Sequence, residues 1–96
     1  MILEIITPET KVFNGEVEAV QFPGKDGLFQ VLNNHAPIIS ALTEGQIKID
    51  LVNAIEKLDT VDGRIEKSKS GDKQLFVHIK GGVVEMLNNK IIVLAE

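Results

Sequence analysis

The side chains in this chain that could support catalysis are two histidines and three serines, and their spacing does not assemble a nucleophilic site. A serine nucleophile needs a base within reach, and the base usually needs a third group to orient it. His78 falls within an alternating β-pattern on the face opposite the apolar residues, so we interpret it as a surface histidine. His35 stands two residues before Pro37, where its imidazole can bond a nearby carbonyl. Because the G-x-S-x-G, H-E-x-x-H and P-loop motifs are also missing, we expect no catalytic site, no metal and no cofactor.

The composition is that of an ordinary globular domain. The 96 residues are 44% hydrophobic and 25% charged, which predicts one domain over residues 1–96. Four Phe are the only aromatic residues and the net charge is -4, so we expect no nucleic-acid partner. The absence of Cys excludes disulfides and Cys-based metal sites. No window of the sequence approaches about 18 apolar residues, so we expect no membrane insertion. No basic n-region or long apolar run precedes the first strand pattern, so we expect no signal peptide.

Short apolar or alternating runs separated by turn signals predict an all-β fold. The clearest run is 46–51, where Ile47, Ile49 and Leu51 alternate with polar residues. Residues 74–80 repeat that pattern. The inward face changes at Ala19-Val20, which predicts a β-bulge or a sheet corner. Further runs lie at 2–6, 28–32, 38–42, 83–87 and 90–95, and the dipeptides at 14–15 and 88–89 are typical of turns. A sandwich or barrel follows from this pattern.

Two loops lie close together in the stretch 22–42. Gly24 and Gly27 bracket a polar tip, and Pro37 pushes Ala36 into extended geometry, so residues 35–37 should form a rigid bend. Loops on a rigid scaffold are where function usually lies. Two ordinary turns of a β-protein are the simpler interpretation.

The charged segment at about 53–73 interrupts the strand pattern. Ten of the eighteen residues at 56–73 are charged. Because Leu51 and Gln74 are nearly equidistant from Asp62-Gly63, we predict one long exposed hairpin centred on that turn, with a short helix at 53–58 as the alternative.

Taken together, four segments resemble the N-terminal β-domain of the epsilon subunit of F-type ATP synthase. They are residues 3–24, 27–42, 79–86 and 88–95, which carry in order F-x-G-x-V, P-G-x-x-G, H-A-P, G-G and V-L-A. The resemblance implies a flattened antiparallel β-sandwich of about ten short strands with a charged hairpin-like insertion. It implies a rotor subunit of the central stalk that docks the gamma subunit onto the membrane c ring and helps to couple ion translocation to ATP synthesis. It further implies a subunit with no catalytic residue of its own, which lies peripherally at the cytoplasmic face of the bacterial inner membrane.

The resemblance also assigns residues to two contacts. Those implied at the gamma interface are Thr7, His35, Ala36, Pro37 and Ser40. Those implied in the loop facing the c ring are Gly24, Lys25, Asp26, Gly27 and Leu28.

Three departures from the family pattern are visible. Leu28 stands where many members carry an acid, so Asp26 or an apolar contact would serve instead, and Asn33-Asn34 replaces the common Pro-Gly before the histidine. The sequence ends at Glu96, before the family's helical hairpin, so we expect neither inhibition by that arm nor ATP binding. The alternative function is a free-standing β-sandwich ligand-binding module, against which the absence of Trp and Tyr platforms counts.

Overall fold

A computed structural model describes residues 1–53, 65–67 and 73–96, and their secondary structure is entirely β. Nine strands occur in these residues: β1 (Ile2–Ile6), β2 (Lys11–Gly24), β3 (Gly27–Leu32), β4 (Ile38–Leu42), β5 (Gly45–Leu51), β6 (Ile65–Lys67), β7 (Gln74–Ile79), β8 (Gly82–Leu87) and β9 (Lys90–Ala95). This part of the chain contains no helix, and so none that is long and apolar enough to cross a membrane.

The fourteen-residue strand β2 connects the two halves of the structure. Its first part pairs with β1, its middle with β5, and its last part with β3. At its end Gly24 also pairs with Leu42 of β4. Together with the pairs β4–β8, β8–β9 and β9–β1, these contacts close a ring of five strands, while β5, β7 and β6 extend the sheet from the middle of β2.

The core lies where the inward faces of these strands meet. Phe22 is its largest fully buried side chain, and the centroid of its phenyl ring lies 5.5 Å from that of Phe29. Ile47, Ile49 and Leu51 are buried as the alternation predicts, and Leu75, Val77 and Ile79 oppose them from β7. The cluster combines inward positions of all the longer strands, so the domain is held mainly by apolar burial between its layers.

Two local predictions for β2 have different outcomes. The change of face is confirmed, because Ala19 and Val20 are both buried and the pairing with β5 shifts between Val17 and Ala19. The predicted turn at Asn14-Gly15 is wrong. Neither residue has positive φ, and their backbones pair with Glu4 and Leu3 of β1, so β2 runs straight through the dipeptide. Outside β2, the turn predicted at Asn88-Asn89 is confirmed between β8 and β9, where the two residues have φ of 52° and 61°.

The predicted all-β fold is confirmed, with one exception to its antiparallel pairing. β1 and β9 run parallel, with Ile2 opposite Lys90 and Ile6 opposite Leu94. A parallel neighbour is possible here because residues 7–89 lie between the two strands, which gives ample length for a crossover.

The charged segment begins and ends as predicted, and it adds a pairing that was not predicted. Asp50 lies opposite Gln74, which confirms that β5 and β7 pair across the segment. The predicted pairing of residues 65–67 with 58–61 cannot be compared, because 58–61 lie outside the described residues. Residues 65–67 form β6, which pairs with the other edge of β7, with Ile65 opposite Val77. The predicted turn at 62–63 and the alternative helix at 53–58 lie outside the described residues, apart from Asn53.

Candidate functional site

The bend between β3 and β4 carries the H-A-P motif at the surface. Asn34 takes a φ of 62°, and the His35 amide donates to the Leu32 carbonyl at 3.2 Å, which closes the turn. The Nδ1 atom of His35 lies 2.7 Å from the Ala36 carbonyl, so that nitrogen carries the proton and donates. This contact agrees with the bonding predicted for His35. Ala36 and Pro37 are exposed, so the bend presents small side chains to solvent. The turn bond and the restricted φ of Pro37 fix its backbone.

A groove of about 250 Å³ runs beside the bend, between β3 and β4. Its lining includes Phe29 and Gln30 from β3 and His35, Ile38 and Ser40 from the β4 side. The structure therefore brings together His35 and Ser40, two of the residues predicted for one contact. The Ser40 hydroxyl donates only a long bond, 3.4 Å, to the Ala41 carbonyl, which leaves it free to bond a partner.

The loop at residues 24–28 borders a second groove of about 430 Å³. Phe29 and Ser40 line both grooves, and so the loop and the bend form one continuous surface along β3 and β4. Gly27 adopts a φ of 122°, which only glycine takes readily, and it pairs with Gly24 to close the β2–β3 hairpin. This tight closure leaves the side chains of residues 25, 26 and 28 exposed at the tip.

Thr7 lies apart from this surface. It is the one buried polar residue found in the described part of the chain, with 5% exposure. Its Oγ1 donates to the Thr10 carbonyl at 3.1 Å and accepts from the Thr10 amide at 3.2 Å. β8 and β9 separate its strand from β4, so the structure does not place Thr7 beside His35 or Ser40.

An exposed apolar face on the outside of β4, β8 and β9 was missed by the sequence reasoning. It consists of Ile39, Val83, Leu87 and Leu94, with exposures of 77%, 44%, 52% and 59%. Ala41 pairs with Val83, and Val83 pairs with Leu94, so three neighbouring strands present apolar side chains in one row. The signal was present in the sequence, since residues 38–42, 83–87 and 90–95 are apolar at both parities of the strand rather than at one.

A third groove, of about 440 Å³, joins the bend to this apolar face. Pro37, Ile39 and Leu87 line it, and Glu85 is the only charged residue in its lining. The bend, the groove and the face thus form a surface that is largely apolar with one carboxylate. Such a surface fits the binding of a protein partner better than chemistry on a small molecule.

Within the described ranges, the remaining titratable groups do not assemble a reactive site. His78 is exposed, as predicted, and its Nε2 lies 3.9 Å from a Glu44 carboxylate oxygen. Lys11 and Glu4 form a surface ion pair at 3.0 Å. In the described residues no group of three His, Cys, Asp or Glu side chains could hold a metal ion.

Comparison with known proteins gives consistent matches. The family "ATP synthase, Delta/Epsilon chain, beta-sandwich domain" matches residues 1–69. The ATP synthase epsilon chain of Chlorobium limicola is 37% identical over 94 residues, which cover 98% of this chain and 86% of that protein. The epsilon chain of Maridesulfovibrio salexigens is 33% identical over 96 residues, and this chain spans 54% of its length.

Solved structures with the same fold are more distant in sequence. A chain in the central stalk and c-ring structure of the Tetrahymena thermophila mitochondrial ATP synthase superposes with a TM-score of 0.70 at 16% identity, covering 99% of this chain and 62% of that one. A chain of the Euglena gracilis mitochondrial ATP synthase superposes with a TM-score of 0.71 at 18% identity, covering 99% of this chain and 49% of that one. At these identities the likeness supports the fold alone.

Proposed function

Because this chain belongs to the ATP synthase delta/epsilon chain family, we propose that it is a central-stalk subunit of the rotor. In this proposal it docks the gamma subunit onto the c ring and helps to couple ion translocation to ATP synthesis. It works as a mechanical connector with no catalytic residue of its own, and it lies peripherally at the cytoplasmic face of the bacterial membrane.

The observation that carries the proposal is the continuity of the H-A-P bend with the exposed apolar face. Pro37, Ile39 and Leu87 line one groove, and the bend and β4 together offer the backbone and side chains that a protein partner would cover. Ile39, the second residue of β4, is 77% exposed, and its apolar surface is costly to leave in water, so burial by a partner removes that cost. We assign this surface, with His35, Ala36, Pro37 and Ser40, to the gamma subunit.

The loop at residues 24–28 is assigned to the c ring. Lys25, Asp26 and Leu28 project from a hairpin tip that is closed by the Gly24–Gly27 pair. The base of the hairpin is tied to β4, because the Lys25 amide donates to the Ala41 carbonyl at 3.4 Å and the Thr43 amide donates to the Pro23 carbonyl at 2.8 Å. Both bonds come from the β2 arm of the hairpin, so a force on the tip passes through this arm directly to β4.

In this proposal, torque must pass from the c-ring loop to the gamma-binding bend along a stiff path, and the strands between them supply one. The loop at 24–28 and the bend at 35–37 are linked through β3 and β4, with Phe29 and Ser40 bordering both grooves. β4 is in turn part of the closed ring of five strands. A force that enters at the loop therefore reaches the bend through hydrogen-bonded strands rather than through a flexible linker.

The test is co-purification of this chain with its cognate gamma subunit, as the unmodified chain and as the double variant His35→Ala, Ser40→Ala. We expect a one-to-one complex that the double variant weakens. The matched control is His78→Ala, which removes an exposed histidine on β7 and should leave the complex intact.

Circular dichroism on each variant confirms folding before the comparison. A folded chain that forms no complex with gamma would refute the proposal and would favour a free-standing ligand-binding module. Equal weakening by the double variant and by the control would remove the assignment of the bend.

A further inference from the structure

We infer that Asn89 is a positioning residue for the H-A-P bend, acting through a clasp between its side-chain amide and the residues just before His35. The inference rests on the proposed function, since its consequence is a backbone held in the conformation that the gamma subunit binds. Asn89 itself belongs to the β8–β9 turn, more than fifty residues away along the sequence, as the separation of 55 from Asn34 shows.

The clasp uses both polar atoms of the Asn89 side chain. The Asn34 amide donates to Asn89 Oδ1 at 2.8 Å, and Asn89 Nδ2 donates to Asn33 Oδ1 at 3.4 Å. Asn33 Oδ1 also accepts from the Met1 nitrogen at 2.9 Å. One side chain thus connects two consecutive residues of the bend to a hairpin turn of the neighbouring sheet region.

Few contacts other than the clasp tie the bend to the rest of the domain. Residues 32–37 are all exposed, so no buried side chain anchors them to the core. Besides the clasp, the backbone bond recorded for this segment in the described part of the chain is from the His35 amide to the Leu32 carbonyl. Asn34 also has a φ of 62°, a conformation that costs a non-glycine residue free energy and that a hydrogen bond at its own amide helps to maintain.

The anchor, by contrast, is well fixed. The Asn89 carbonyl accepts from the Ile2 amide at 3.2 Å, and Leu87 pairs with Lys90 on either side of the turn. Asn89 has a φ of 61°, which glycine would adopt more readily. Asparagine at this position provides the turn conformation together with an acceptor and a donor, and glycine would provide the turn alone.

This difference defines the experiment. Asn89→Gly keeps a residue that tolerates the positive φ and removes the clasp. The control, Asn88→Gly, makes the same change at the adjacent turn position, which has a φ of 52° and for which no side-chain hydrogen bond is found among the described residues. In the isolated chain we expect the Asn34 amide to exchange about fivefold faster in Asn89→Gly than in the control, the factor typical of one lost hydrogen bond.

Binding to purified gamma subunit gives the second measurement. We expect Asn89→Gly to weaken the complex about fivefold relative to Asn88→Gly, because the bend must be ordered on binding. Asn89→Asp should restore the slow exchange of the Asn34 amide and part of the affinity, since a carboxylate still accepts from that amide but can no longer donate to Asn33 Oδ1. Loss of general stability would not be reversed by a single retained acceptor, so this variant separates positioning from folding.

Equal exchange rates at Asn34 in the two glycine variants would overturn the clasp. Faster exchange with unchanged affinity for gamma would show a clasp that does not position the bend, and it would also refute the inference. If the unmodified chain fails to bind gamma, the proposed function falls and takes the positioning role with it, while the exchange rates still report whether the clasp exists.

Discussion

Ile39 offers the sharpest test of the apolar face. Its side chain is 77% exposed on β4, between the H-A-P bend and the row that contains Val83 and Leu94. Complete burial of an Ile contributes about 1.5–3 kcal/mol. If a partner covers the exposed three quarters of the side chain, its contribution to the complex is about 1–2 kcal/mol, and Ile39→Ser should weaken binding to gamma roughly 5- to 30-fold.

The same change should barely affect the folded chain. An exposed side chain loses little on truncation, so we expect the free energy of unfolding in urea to change by less than about 0.5 kcal/mol. Isothermal titration calorimetry with purified gamma then reports the binding change directly. Burial of apolar surface also predicts a less negative heat-capacity change of binding for the variant.

Leu28→Ser is the matched control for this experiment. Leu28 is 68% exposed, so the variant loses a comparable apolar side chain, but it lies on the loop assigned to the c ring. Binding to isolated gamma should therefore stay within about twofold of the unmodified chain, which is the precision that separates it from a 1 kcal/mol effect. Equal losses for the two variants, or no loss for Ile39→Ser, would refute the assignment of the apolar face to gamma.

Two stability predictions accompany it. Gly82 has a φ of 148°, and a Cβ there would collide with the Leu94 carbonyl oxygen, so Gly82→Ala should lower the free energy of unfolding in urea by about 2–5 kcal/mol. Gly27→Ala, at a φ of 122° with no atom within 4 Å of the new Cβ, should cost only the backbone strain of about 1–2 kcal/mol, and equal losses would exclude the collision as the cause. Thr7→Val should cost about 1 kcal/mol in thermal unfolding, because it removes the bonds to Thr10, whereas Thr10→Val, at an exposed hydroxyl, should be neutral; the reverse order would contradict this reasoning.

The parts of the fold that were predictable are those in which one strand face is wet and the other dry. The run at 46–51 shows this alternation, and its buried residues were assigned correctly. Turn chemistry was less reliable. Asn88-Asn89 forms its turn, but the pairing of Asn14-Gly15 with β1 overrides the same local preference. The local sequence could not reveal that the N-terminal strand would lie alongside this dipeptide.

The candidate site divides in the same way. Pro37 marks the bend, and Gly24 and Gly27 mark the loop, so the positions of both could be predicted. For the exposed apolar face, the runs that are apolar at both parities signal that such a face exists but not which residues form it. Val83 and Leu87 differ from their buried neighbour Val84 only in the side of the strand on which they lie, and that is fixed by pairing with β4 and β9. The role of Asn89 depends on a contact to Asn34 across a sequence separation of 55, which no local pattern encodes.

The parallel pairing of β1 with β9 has a consequence for how the domain is made. β9 lies between β1 and β8, so the ring of strands stays open until residues 90–95 have left the ribosome. During synthesis, strands β1 and β8 expose the edges that β9 will later fill, and the contacts that close the structure join residues 2–6 to residues 90–94. Folding of this kind is slow and leaves unpaired edges available to other nascent chains. We therefore expect the domain to acquire protection from proteases only after β9 emerges, in one step rather than progressively.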